Sequence, residues 1–344
     1  MKILVTGNLG YIGSVLVPYL QKDGYEVIGF DVGYYKDNLV TKSEKLNNQI
    51  LKDLRNVNEK DLENVETIIH LASLSNDPLG EFNPDLTNQI NNLCTINLAK
   101  LAKKNGVKRF IYASSQSMYG ISNTSQELDE DRSVKNPITA YAKTKWSSEQ
   151  EIMKLIDDDF LVCAFRPATV FGPSPRFRCD IVYNNLISCA YTTGLIEIYS
   201  DGTPCRPIVH IEDVCNAFKA GVVAPKELIN GQAFNVGILE GNYTVKQIAE
   251  AAQKRNKNSE IKFTGKYGKD ERTYKVSFKK IYSVLKDFYK PKWNLESGGD
   301  QLIEFLNKIK LNEKNFRGPN TNRIMQLKYL SNNEIVDKNL RFYV

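Results

Sequence analysis

Three groups of residues in this chain have the type and spacing to do chemistry. The first is Thr6-Gly7-Asn8-Leu9-Gly10-Tyr11-Ile12-Gly13, where glycine recurs every third residue between a short apolar run and an amphipathic stretch. Glycines there permit a tight turn, let the backbone approach a pyrophosphate and let the next helix sit close on its sheet; the helix start offers N–H groups to an anion. The second is Asp31, at the end of the following apolar run. Its carboxylate is suited to accept hydrogen bonds from adenosine ribose hydroxyls and to repel a 2′-phosphate, and no Arg or Lys lies in the glycine loop, so the predicted cofactor is NAD rather than NADP. The third is Ser115 with Tyr141 and Lys145. Tyr141 and Lys145 are four residues apart and face the same side of a helix. A phenol with a pKa of about 10 is a poor base at neutral pH. A neighbouring ammonium and a positive nicotinamide ring both favour the phenolate and make Tyr141 a usable general base.

Positioning these groups requires strands that end where the chemistry begins. Lys2 to Val5, Glu26 to Phe30, Thr67 to Leu71, Arg109 to Ala113 and Phe160 to Phe165 read as strands buried on both faces. Helical periods lie between them at Gly13 to Lys22 and Asp85 to Asn105, the second ending in Lys-Lys-Asn-Gly. This alternation predicts an α/β fold, a Rossmann-type doubly wound parallel sheet, followed by a smaller C-terminal α+β lobe. Residues 1–166 form the dinucleotide-binding domain, and 208–232 return to it, because Ile208 to Ala224 again reads strand then helix. Residues 167–207 and 233–344 form the second lobe, whose extension from Asn312 is polar apart from Ile324 to Leu330 and wraps the surface.

Composition narrows the class. With 344 residues, 42% hydrophobic and 25% charged, the chain is ordinary globular material. Lys and Arg number 46 against 40 Asp and Glu, and the resulting +6 suits an anionic small molecule but falls short of a nucleic-acid footprint. Six scattered cysteines and two histidines, His70 and His210, argue against a zinc site. The cysteines read as reduced thiols, with a Cys179–Cys189 pair as the alternative. With no export signal and no apolar run long enough for a membrane span, the chain is expected to be soluble and cytoplasmic.

Further residues carry two readings each. Asp53-Leu54 reaches the adenine, or Asp53 caps the helix that follows. Leu71, Ala72 and Ser73 end the fourth strand at the edge where a cofactor lies, whereas His70 reads as a buried strand histidine. Arg176 and Arg178 in PSPRFRCD either bind phosphate or are solvated, and Tyr183 or Phe177 either stacks on a base or belongs to the core. Gln116 and Ser117 bind sugar hydroxyls or pack the loop.

Taken together these motifs resemble the extended short-chain dehydrogenase/reductases, the nucleotide-sugar epimerases and dehydratases. The resemblance runs from Gly7 through Asn91, Ser115/Tyr141/Lys145, Arg166 to Pro173 with Pro167, Arg206 in RPIVHIEDV and Phe234 to Gly237, to Asp270-Glu271-Arg272. It implies that Ser115 polarises a sugar oxygen and that Tyr141 takes the hydroxyl proton, usually at C4. It also implies that Lys145 holds the cofactor ribose, that Asn91 and Pro167 lie at the cofactor, and that Arg206 and Arg272 clamp the substrate diphosphate. Asn185 approaches the sugar or its phosphates, and 85–104 with 141–155 are candidate homodimer helices. Dehydratases of the family carry an acid where this chain has Gln116 and Ser117, so the resemblance favours a nucleotide-sugar epimerase over a ketosugar reductase, a dehydrogenase or a dehydratase. The competing class is a non-catalytic NAD-binding sensor, which has no need of a phenol paired with lysine.

Overall fold

Ten of the fourteen described strands form the two larger sheets of the computed structural model, which describes residues 1–43, 46–75, 77–122, 125–265 and 273–343. They are β1 Lys2–Thr6, β2 Glu26–Asp31, β3 Gln49–Leu51, β4 Thr67–His70, β5 Arg109–Ala113, β6 Leu161–Pro167, β7 Thr169–Phe171, β8 Cys205–His210, β9 Ala233–Val236 and β10 Asn242–Thr244. Seven of them form one parallel sheet in the order β9-β6-β5-β4-β1-β2-β3. Alternate residues serve opposite faces: Ile3 and Val5 enter one apolar cluster with Leu16, Leu20 and Val214, and Leu4 enters another with Phe30, Leu98 and Ile152. This two-sided burial is why the strands read as continuous apolar runs.

The helices include α1 Gly13–Lys22, α2 Asp77–Gly80, α3 Cys94–Lys104, α4 Ala140–Met153, α5 Ile211–Val223 and, in the C-terminal extension, α6 Arg323–Asn332; α1, α3, α4 and α5 pack on the sheet, α2 on α4, and α6 on α2. The chain runs outward from β1 to β3 and then crosses back to place β4 on the other side of β1. Strand order therefore reverses between β1 and β4, and a crevice opens at their carboxyl ends. The glycine turn after β1 and the segment after β4 meet there. A Cβ on Gly7 would stand 2.7 Å from the nitrogen of Ala72, and Gly7 has φ +71°, so only glycine fits this pinch.

The predicted helix from Asp85 to Asn105 is present as a continuous helical run from Pro84 to Lys104, with a wide i to i+5 bonded stretch at Asn88–Leu93 before α3. Asn91 sits in that stretch: its carbonyl accepts from Thr95 Oγ1 (2.6 Å) and Ser148 Oγ (3.0 Å) while its amide bonds the backbone of Leu74. Three other sequence expectations are corrected. The strand at Ile208 does not return to the main sheet, because Cys205–His210 pairs with β7 and β10 in a separate three-stranded sheet and only α5 packs on the main one. The seventh strand is β9, in register with Ala164–Pro167, from a stretch assigned to the other lobe. A local strand–helix pattern specifies a unit but not the edge it joins. Finally, the C-terminal extension covers the crevice as well as the surface: Leu327, Leu330 and Leu340 pack on Tyr34, Leu79 and Leu86.

Candidate active site

A cavity of about 450 Å³ occupies the crevice and lies within the size range of small-molecule sites. Its walls bring together Gly7, Gly10, Tyr11, Ile12, Gly13, Asp31, Asp53, Leu54, Leu71, Ala72 and Ser73 from the first half of the sheet. Ser115, Gln116 and Ser117, Tyr141 and Lys145, Pro167 and Arg206 complete it from the second half and the neighbouring lobe.

At the glycine end, α1 starts without a capping side chain and without an acid in its first turn, which leaves its positive end suited to an anion. A Cβ on Gly13 would lie 2.4 Å from the carbonyl oxygen of Gly7, so the third glycine lets the helix close on the turn. The Asp31 carboxylate is held by the N–H groups of Gly33 (2.7 Å) and Leu9 (3.1 Å). Burial raises its pKa, and those two donors with Arg176 and Arg323 oppose the rise. Leu9 thus contributes its backbone rather than a cavity-facing side chain, and Asn8 turns away to bond Gln49. Two donors already satisfied on a carboxylate still leave lone pairs for ribose hydroxyls. The donor set, the glycine cradle and the helix start fit a dinucleotide.

At the other end, Ser115 starts the turn Gln116–Tyr119, and its Oγ accepts from Ser117 N (3.1 Å) and Ser117 Oγ (2.9 Å). The Ser115 side chain also hydrogen-bonds the Tyr141 phenol, which lowers that phenol's pKa, but burial dominates and pushes it up to about 12. Lys145 is 3% exposed; its Nζ donates to Ala113 O at 2.7 Å and sits 5.9 Å from the Tyr141 ring centroid. Burial brings its pKa down to about 7. Helical spacing does put Tyr141 and Lys145 on one face, yet the lysine alone does not bring the phenol into the range of a neutral-pH base. A positive ring bound beside the phenol, as the sequence argument asks of the nicotinamide, would lower its pKa further.

Other candidates divide. Asp53 lines the cavity and also caps the turn at Leu54–Asn56, bonded by Arg55 N (2.8 Å) and Arg55 Nε (2.9 Å). His70 is fully buried between Thr6 (2.6 Å) and Thr95 (2.8 Å), the strand histidine of the sequence reading. Gln116 anchors its amide on Arg166 O (2.9 Å). Asn91 is not in the cavity wall and acts one layer back, fixing Leu74. Arg176 spends its guanidinium on the carbonyls of Tyr35 and Lys36 (both 3.0 Å), and Asn185 spends its amide on Cys179 O (2.9 Å), so neither reaches the cavity. Arg176 was read from a loop and Asn185 from the start of a helix, and neither reading fixes the direction of a side chain. Phe177 and Tyr183 are core, the latter bonded to Leu295 O (2.8 Å). Arg272 lies outside the described residues. The described cysteines are free and buried.

The sequence reading missed Arg323, Tyr35 and Tyr274, all of them cavity residues. The only hint of Arg323 was the apolar stretch that follows it. Gly80 was also missed: a Cβ there would lie 2.9 Å from the Cβ of Tyr141, so α2 sets the position of the phenol.

Comparison with known proteins is consistent across sequence and structure. Residues 3–237 match the family described as "NAD dependent epimerase/dehydratase family". The chain is 28% identical over 271 residues to a UDP-glucuronate 4-epimerase of Thermodesulfobacterium geofontis, covering 73% of this chain and 79% of that protein. It is 31% identical over 252 residues to a UDP-glucose 4-epimerase of Mycolicibacterium smegmatis, covering 69% and 77%. Among solved structures, MoeE5 in complex with UDP-glucuronic acid and NAD superposes with a TM-score of 0.77 at 26% identity, covering 90% of this chain and 99% of that one. No described helix is long and apolar enough to cross a membrane.

Proposed function

Since the chain belongs to the NAD dependent epimerase/dehydratase family and is an NAD-dependent enzyme, we propose that it epimerises a nucleotide-diphosphate sugar, at C4, through a transient ketone. The carrying observation is that one cavity holds the glycine turn and Asp31 at one end and Ser115, Tyr141 and Lys145 at the other. In this reading Gly7, Gly10 to Gly13, Asp31, Asp53, Leu54, Leu71 to Ser73, Pro167 and Lys145 hold the cofactor. Bound NAD supplies the acceptor, then the donor, of a hydride and a positive ring. The sugar hydroxyl gives its proton to the Tyr141 Oη, and the same carbon loses a hydride, leaving a ketone. Ser115 donates a hydrogen bond to the oxygen as its charge changes. Tyr141 then returns the proton while the hydride is added to the opposite face, so atoms and electrons balance with no net redox change. Gln116, an amide fixed to Arg166 O, cannot serve as the acid that water elimination requires. Arg206 is the proposed diphosphate contact from the second lobe. A homodimer through α3 and α4 belongs to the same proposal and is read by sedimentation.

The test is proton NMR of UDP-, GDP-, dTDP- and CDP-sugars with enzyme and only catalytic NAD. A new epimer without net cofactor consumption supports the reading. Turnover only with stoichiometric NAD or NAD(P)H replaces it with a dehydrogenase or ketosugar reductase. Tyr141→Phe is expected to abolish turnover while NAD affinity changes less than about twofold; native-rate turnover by this variant overturns the mechanism.

A further inference from the structure

Two arginines in the cavity wall have no part in the reaction above, and they come from segments far apart in the chain. Arg178 donates from Nε to Asp180 Oδ1 (2.8 Å), from Nη2 to Asp180 Oδ2 (3.1 Å) and from Nη1 to Ser75 Oγ (3.2 Å). Arg323 is the first residue of α6 in the C-terminal extension. It is 2% exposed, lies with its guanidinium 4.2 Å from the Tyr35 ring centroid, and donates from Nη2 to Arg176 O (2.9 Å). Its Nη1 has no hydrogen-bond partner among the described residues, and neither has the hydroxyl of Tyr35 beside it. Both arginines line the cavity.

Stability alone does not account for this arrangement. A guanidinium in the first turn of a helix opposes the helix dipole. Burying it beside a second guanidinium adds desolvation and repulsion; these bring the Arg323 pKa down to about 10, with burial the larger cause and Arg178 the next. Arg178 commits its guanidinium to Asp180, which also acts on Arg323, whereas the Arg323 Nη1 is left without an acceptor among the described residues. An anion in the cavity would supply that acceptor.

The pair is also in the right stretch. Arg323 is close enough to act on Asp31, and Arg178 on both Tyr11 of the glycine turn and Tyr141. Both arginines thus line the same cavity as Asp31, Tyr141 and the glycine turn at the start of α1. We propose that Arg178 and Arg323 form a diphosphate-binding pair in which the C-terminal extension supplies half of the site and closes over the bound nucleotide. The inference rests on the proposed function for its ligand class, a diphosphate ester. That diphosphate is carried either by the dinucleotide or by the sugar nucleotide.

The test is calorimetric titration of the full chain and of Arg323→Gln with ADP-ribose, with adenosine, and, for the NAD-loaded protein, with UDP. The expected result is a loss of about tenfold or more for a diphosphate ligand, the scale of a charge-assisted hydrogen bond, with adenosine changed less than about twofold. A loss confined to ADP-ribose assigns the pair to the dinucleotide, and one confined to UDP assigns it to the sugar nucleotide. Unchanged affinity for both, or an equal loss for adenosine and ADP-ribose, overturns the inference. Should Arg323→Gln not fold, Arg323→Lys keeps the charge and loses the planar fork; a severalfold loss for one diphosphate is expected, and native affinity for both overturns the pair. A wild-type protein that binds neither diphosphate sinks the proposed function itself.

Discussion

Ser117→Ala separates a serine that donates from one that merely lines the site. The Ser115 oxygen has two lone pairs, and both are occupied by Ser117, through its N–H at 3.1 Å and its hydroxyl at 2.9 Å. With both acceptor positions used, the single Ser115 proton is directed away from Ser117, toward Tyr141 and the reacting oxygen. Removing the Ser117 hydroxyl leaves the N–H bond in place but frees one lone pair, so the Ser115 hydroxyl regains other rotations. A neutral hydrogen bond contributes about 0.5–1.5 kcal/mol net, and a tenfold rate change is about 1.4 kcal/mol. The expected fall in kcat is therefore about twofold to tenfold, with KM and NAD affinity unchanged. Because the Ser115 bond lowers the Tyr141 pKa, weakening it moves the ascending, acidic limb of the kcat profile to higher pH, since Tyr141 must be deprotonated to act as base. The assay is initial-rate NMR on the substrate identified by the sugar panel, across pH, with Ser115→Ala as the reference. That variant loses the donor outright and is expected to fall by about 10²-fold or more. Native kcat in Ser117→Ala, or a rise in KM with kcat intact, refutes the lone-pair argument.

Gly80→Ala places a methyl 2.9 Å from the Cβ and 3.0 Å from the nitrogen of Tyr141, which forces the start of α4 to shift by several tenths of an ångström. A 1 Å misplacement costs about 10²-fold, so kcat is expected to fall by about tenfold with NAD affinity little changed; an unaltered kcat in the folded variant counts against α2 as the support of the phenol. Burial holds His70 and His210 near pKa 3, against 6.5 when solvated. Below pH 6.5 the unfolded chain takes up these protons and the folded one does not. Stability is therefore expected to fall as pH drops from 6.5 toward 3, by about 1.4 kcal/mol per pH unit for each histidine, with no contribution above that window. Urea titrations at pH 7 and 5 measure this, and His70→Gln should lower the dependence by about one proton; an unchanged dependence refutes the assignment for His70.

Much of the site was legible because its parts are contiguous. The glycine turn, Asp31 at a strand end and the Tyr141/Lys145 helical spacing each specify a local geometry, and parallel pairing brings strand ends to one edge. The motif could not show that Lys145 turns to Ala113 O or that burial raises the Tyr141 pKa, because both depend on what packs around them. Arg176, in a loop, and Asn185, in a helix, illustrate the same gap: backbone carbonyls of Tyr35, Lys36 and Cys179 capture their side chains.

The sequence by itself therefore determined the doubly wound sheet, the glycine turn after its first strand and the placing of Tyr141 and Lys145 on one helix face, since apolar periodicity, glycine spacing and helical spacing act over a few residues. Tertiary structure alone decided which strand took the seventh place, that Gly80 abuts Tyr141, and that Arg323 enters the cavity beside Arg178. Each of those depends on contacts between segments tens to hundreds of residues apart, where the free energy of packing selects among partners that local patterns leave equivalent.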